Sequence, residues 1–245
     1  MRRFRLALLI ATASLLGPMT AQSASAITLE SAAQSSGQLF RSVESFWSQE
    51  VGTLGGRYRP AKLKLFSAPI RGACTVQATL SGPFYCTVTE TVYLDQTFVQ
   101  QLIQRDQQDA NLALGFVVAH EVAHHIQNVI GTTSSMDQSR ANSTAELGQR
   151  LFTTFELQAD CYAGLWAHWA AARGAIKIPA NVSVTLDAIA TTSQDWQVHL
   201  SAGQEMLDPL SQGSAAQRFK WFHRGLDSGN FNDCDTFGAE AAGNL

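Results

Sequence analysis

Residues 117–126 read Val117-Val118-Ala119-His120-Glu121-Val122-Ala123-His124-His125-Ile126, and residues 155–161 read Phe155-Glu156-Leu157-Gln158-Ala159-Asp160-Cys161. Both stretches are apolar, and each carries a pair of titratable side chains four positions apart. On a helix that spacing puts the pair on one face, a turn apart. His120 and His124 can then bring two neutral nitrogens to one Zn²⁺ at about 2.1 Å. Glu121 stands beside the first histidine and projects toward the open coordination position. There it can take a proton from water and hand it to a leaving amine. A tetrahedral site needs a third protein ligand, and Glu156 supplies it. Asp160 would stand behind a ligand histidine and fix its tautomer. Buried acids are costly unless paired or metal-bound. Leu157, Ala159, Tyr162, Ala163, Leu165 and Trp166 leave little room for a solvated acidic face, which is the plainer reading of this helix.

Working outward, the chain reads as a small sheet followed by helices. Leu39, Phe40, Val43, Phe46, Trp47 and Val51 recur at helical spacing until Gly52 and Gly55-Gly56. Residues 62–66 alternate Lys and Leu, as a half-buried strand does. Residues 84–94 are aromatic and β-branched and supply one or two more strands. Asp95 caps a helix bearing Phe98, Leu102 and Ile103. Residues 111–130 form a buried helix closed by Gly131, and the Ser/Thr-rich residues 131–142 read as a polar loop. A capping box from Ser143 to Glu146 opens a long helix that reaches Arg173-Gly174. A helical region covers about 183–200, and Ser214 to Gln217 cap a last helix ending near Gly229. The expected fold is α+β and predominantly helical, with a small antiparallel or mixed sheet and a pair of active-site helices.

The chain has 245 residues, 45% hydrophobic and 15% charged, with a formal net charge of −3. So apolar a chain can bury a core, which excludes a disordered protein. Its 17 Lys+Arg against 20 Asp+Glu argue against nucleic-acid binding through phosphate contacts. Arg2, Arg3 and Arg5 precede an apolar run over residues 6–16, and Ser23-Ala24-Ser25-Ala26 place small residues before a cut. That layout predicts a signal peptide over 1–26 and one exported domain over 27–245, secreted or periplasmic. A run of about 11 residues is too short for a membrane anchor, although a retained leader would tether the protein. Cleavage leaves 14 Lys+Arg against 20 Asp+Glu and a net charge of −6.

Export permits disulfides. Cys74 and Cys86 flank Ser81-Gly82-Pro83 and read as a hairpin staple, which leaves Cys161 to pair with Cys234. A free thiol or a metal ligand is the other reading of Cys161. Each bridge would stabilise the fold by about 3 kcal/mol, mostly through the unfolded chain.

The runs AHEVAHHIQNVIG and ELQADCYAGLWAH resemble those of the neutral zinc metallopeptidases, a gluzincin-like bacterial group. FWSQ, GGRYRPAKL, GPFYC, VYLDQTF, GSAAQRFKWFHRGLDSG and CDTF extend the resemblance over most of the mature chain. It implies a zincin-like domain and a single Zn²⁺ on His120, His124 and Glu156, with Glu121 as catalytic carboxylate and Asp160 behind the ligands. It also implies a peptide or protein substrate. In one departure, the family usually carries Thr-His-Gly before the C-terminal arginine helix, where this chain has Ser211-Gln212-Gly213. Gln212 would then serve substrate binding or the oxyanion by hydrogen bonding alone, and a lost transition-state donor costs about 2.7–4 kcal/mol.

Of the remaining residues, His125 reads as structural and His168 as packed or surface, while His199 and His223 lie in no motif. Tyr162 could offer its phenol to an oxyanion, although its neighbours favour the core. Arg218 could pair with Asp160 or with a substrate carboxylate. The strand near residues 92–94 could bind an extended peptide if it forms the sheet edge. The rival function is a non-catalytic exported protein that binds zinc or peptide. An intact Glu121 argues against it, since a storage site needs no general base.

Overall fold

The computed structural model describes residues 28–53, 55–71, 74, 79–190 and 213–245. The leader, Gln212, His199 and the second half of the helix expected over 183–200 lie outside them. The architecture is α+β and mostly helical. Helix α1 (Leu29–Thr53) leads into strand β1 (Lys62–Phe66), a short hairpin of β2 (Ile70–Arg71) and β3 (Thr79–Leu80), and strands β4 (Phe84–Cys86) and β5 (Thr91–Asp95). Helices α2 (Gln96–Arg105), α3 (Ala110–Val129), α4 (Thr132–Ala141) and α5 (Ala145–Ala172) follow. Then come α6 (182–190 as described), α7 (Ala215–Ser228), a 3₁₀ turn (Phe231–Cys234) and α8 (Thr236–Ala241).

The main sheet is mixed, in the order β1-β5-β4. β1 runs parallel to β5, with Lys62 opposite Thr91, while β4 runs antiparallel to it, with Tyr85 opposite Val92. β5 therefore lies at the centre, every residue buried. This corrects the expectation that residues 92–94 form the sheet edge. The edges are β1 and β4, and β4 is the one packed against α3. A strand covered on both sides and both faces reads as a continuous apolar run, and Val92-Tyr93-Leu94 is one.

Local signals account for most helix ends. Asp95 caps α2 by accepting from the Thr97 N–H at 2.9 Å. Ser214 and Gln217 form a complete capping box on α7, and Gly229 closes that helix at φ 60°. For α5 the N-cap is Thr144 rather than Ser143, accepting from Leu147 N–H. A further correction concerns residues 132–141, which form α4 instead of a loop. Its hydroxyls bond back along the chain, Ser134 to the Gly131 carbonyl and Ser139 to the Ser135 carbonyl. Such back-bonds occupy the hydroxyls within the helix without stabilising it, and the buried Met136 holds the helix to the protein.

α3 and α5 form the central pair, and α7 lies against α5. The second contact is close because both backbones are bare there. A β-carbon on Gly164 would strike the Phe222 carbonyl, and one on Gly225 would strike the Cys161 carbonyl. This approach brings the start of α7 within reach of α5. Disulfides join Cys74 to Cys86 and Cys161 to Cys234, the latter tying α5 beside Asp160 to the C-terminal segment. No described helix is long and apolar enough to cross a membrane.

Candidate metal centre and active site

α3 carries His120, Glu121 and His124 along a stretch buried on nearly every side, and α5 carries Glu156 and Asp160 opposite. One ligand atom each from His120, His124 and Glu156 lies within 4.8 Å of the others. His120 Nε2 is 3.3 Å from Glu156 Oε2, and His124 Nε2 is 3.6 Å from Glu156 Oε1. Ligands bonded at 2.0–2.1 Å to a tetrahedral ion stand roughly 3.4 Å apart, so this spacing suits such an ion.

The hydrogen bonds behind the rings decide what faces the centre. His120 Nδ1 lies 2.9 Å from Asp160 Oδ1. The carboxylate only accepts, so Nδ1 carries the proton and Nε2 offers a lone pair. Gln127 Nε2 donates to the Phe155 carbonyl at 2.8 Å and to Gln158 Oε1 at 3.0 Å. Its oxygen is thereby turned to accept from His124 Nδ1 at 2.8 Å. Two imidazole Nε2 atoms and a carboxylate thus converge, and a bound cation would take the place of a proton at His120 Nε2. That donor set fits Zn²⁺.

Electrostatics agree. Burial disfavours an imidazolium at His120, but Asp160 and Glu156 outweigh burial and push its pKa up to about 10. In the absence of a cation, a proton serves as the counter-charge. His124 is held below its ordinary value, burial prevailing over Glu156. Burial also works against the charged forms of Glu156 and Asp160. His124, His120 and Arg218 overcome it for Glu156, and Arg218 with His120 for Asp160, so both stay below the usual carboxylate range. Glu121 differs. Burial, aided by Glu156, raises it to about 7 against the pull of His120, Arg218 and the nearby Tyr85 backbone.

Arg218, at the start of α7, grips Asp160 with both Nε and Nη2, each at 2.8 Å. A relay Arg218–Asp160–His120 therefore stands behind one prospective ligand, and Gln158–Gln127–His124 behind the other. Phe116 stacks on His120 and Phe155 on His124, at centroid distances of 6.0 and 5.1 Å. Phe116 and Arg218 also border a cavity of about 260 Å³ whose other walls include Leu186, Ile189, Ala190, Ala215 and Phe219.

Tyr162 stands away from this cluster. Two positions past Asp160 is about 200° around the helix, and there Tyr162 packs between Trp47 and Phe231 at 5.3 and 5.1 Å. It is a core residue rather than an oxyanion donor. His168 lies elsewhere too, with Nδ1 donating to the Leu226 carbonyl at 2.7 Å. His125 is fully buried and bonds Tyr85 and the Arg59 carbonyl. Sequence reasoning overlooked Gln127 and Tyr85. For Gln127 the signal was present, because it follows His124 by three positions on one helical face. Tyr85 gave none, since a tyrosine in a strand is ordinary.

Together the α+β fold and the His/His/Glu cluster define a mostly helical protein whose two buried helices present a candidate site for a metal ion. The chain belongs to the family described as "putative neutral zinc metallopeptidase", which it matches over residues 7–237. It is 33% identical over 209 residues to the uncharacterized protein YpfJ of Escherichia coli, covering 85% of this chain and 72% of that one. It is 36% identical over 212 residues to the uncharacterized protein Rv2575 of Mycobacterium tuberculosis, covering 82% of this chain and 69% of that one. No solved structure matches the chain.

Proposed function

We propose that this chain is an exported zinc peptidase that cleaves within peptide chains, with one Zn²⁺ held by His120, His124 and Glu156. The observation that carries this reading is the convergence of one ligand atom each from His120, His124 and Glu156 beside the buried Glu121 carboxyl. When bound, zinc would polarise water and a peptide carbonyl. Glu121 accepts the proton of the attacking water and passes it to the departing amine. Asp160 and Gln127 hold the two imidazoles in the tautomer that leaves Nε2 free, and Arg218 keeps Asp160 charged and in place. The outer edge of β4 runs beside Glu121 and suits an extended peptide added as a further strand. The neighbouring apolar cavity suits an apolar substrate side chain. Two disulfides favour an oxidising compartment, in keeping with a leader over 1–26 and one mature domain over 27–245.

Zinc analysis of the purified protein, joined to cleavage of a mixed peptide library, tests the reading. The expected result is one zinc per chain, cleavage at internal bonds, and a loss of about 10²- to 10⁴-fold in Glu121→Gln with zinc retained. Equal turnover by that variant, or turnover untouched by a chelator, overturns the mechanism.

A further inference from the structure

His125 follows a prospective ligand yet faces away from the metal centre, and it is fully buried. Its Nε2 lies 2.7 Å from the Arg59 carbonyl, which only accepts, so Nε2 carries the proton. Nδ1 of the neutral ring is then an acceptor, and the Tyr85 hydroxyl donates to it at 2.9 Å. Asn128 Nδ2, one turn along α3, donates to the same hydroxyl oxygen at 3.2 Å. The phenol is thus held as donor and as acceptor by two residues of the helix that bears His120 and Glu121. Tyr85 is the middle residue of β4, an edge strand of only three residues, and its backbone lies beside the Glu121 carboxyl. Arg59, whose carbonyl His125 holds, reaches with its guanidinium to Glu90 in the turn between β4 and β5.

We propose that His125 and Asn128 clamp the Tyr85 hydroxyl to fix the edge of β4 in register with Glu121, so that these three are positioning residues for a peptide laid along that strand. The proposal rests on the peptidase reading above. A three-residue strand has few ladder bonds to set its height over α3. The clamp supplies that constraint from the catalytic helix itself, so strand edge and base keep one geometry.

Three measurements on the zinc-loaded full chain test it. In Tyr85→Phe and Asn128→Ala, amide hydrogen exchange over residues 84–86 should quicken about three- to tenfold, the worth of one net hydrogen bond, while α3 is unchanged. In the Glu121→Gln background, Tyr85→Phe should weaken binding of a fluorescent peptide cleaved by the wild type by a similar factor, with zinc content the same. In the active enzyme the loss should fall on KM more than on kcat. A merely misfolded fraction would lower kcat and zinc content together and leave KM alone. Unchanged exchange overturns the clamp, and faster exchange with unchanged peptide affinity and KM overturns its positioning role. If the wild type neither binds nor cleaves peptides, the peptidase reading itself fails and the positioning role falls with it, whatever the exchange result.

Discussion

Gln127 would bear directly on zinc affinity, because its oxygen accepts from His124 Nδ1 at 2.8 Å and so fixes the tautomer of that ring. Gln127→Leu keeps the volume roughly and removes that acceptor, leaving the ring free to turn or change tautomer. Loss of such a partner typically costs 10- to 100-fold in metal affinity, and competition with a chromophoric chelator should read about that loss. Asp160 makes a poorer probe, because neutralising it also strands the buried Arg218 charge. With Glu121 as the proposed base, its ionisation would set the pH dependence. Its folded pKa is about 7 without a cation, raised mainly by burial, and the base works only when ionised. Activity should therefore rise with pH along an acid limb no higher than about pH 7, since a bound cation draws the carboxyl lower. A kcat/KM profile whose acid limb lay well above pH 7 would exclude Glu121 as the titrating base.

The helices locate these side chains, and one of them pays for a buried acid. Glu44 of α1 accepts from the Tyr58 hydroxyl at 2.8 Å, while its other oxygen is buried without a hydrogen bond. Burial outweighs those bonds and raises its pKa from 4.5 to about 7. Between these values the folded chain keeps a proton that the unfolded chain has lost, so stability falls as pH rises through that window. Glu44→Gln retains the acceptor for Tyr58 and removes the titration. Urea denaturation should show the variant gaining on the wild type from pH 5 to pH 8, with the two converging below about pH 4.5. A constant difference across that range would assign Glu44 another role. At the α5–α7 contact, Gly164 and Gly225 allow a backbone approach that places Arg218 on Asp160. Nothing in either glycine's local sequence marks that contact, whereas the capping box on α7 was visible in Ser214 and Gln217.

Zinc would join α3 to α5 across the middle of the molecule, and its removal leaves His120 carrying a proton in its place. Zinc uptake should therefore release protons, with affinity rising as pH approaches about 10. A ligand at about 1,000 times its dissociation constant stabilises the fold by about 4 kcal/mol, equivalent to about 10 °C in Tm for a chain of this size. Calorimetry of the zinc-loaded and chelated protein should show a shift of that order, and coincident transitions would argue against a metal bridge between the helices. The Cys161–Cys234 bond supports the same region, since Gln158 donates to the Cys234 carbonyl at 3.3 Å behind Gln127. By itself the sequence determined which faces of α3 and α5 carry the His120/His124 and Glu156/Asp160 pairs, the strand at Lys62–Phe66, the cap at Asp95 and the fold class. These are local matters, set by a period of 3.6 or 2 and by side chains bonding within a few residues. Only the tertiary structure decided that β4 and not β5 is the edge, that Tyr162 belongs to the core, that Arg218 grips Asp160, and that His125 holds Tyr85 40 residues away. Those outcomes depend on which distant surfaces pack together, and a sequence period carries no term for packing across the chain.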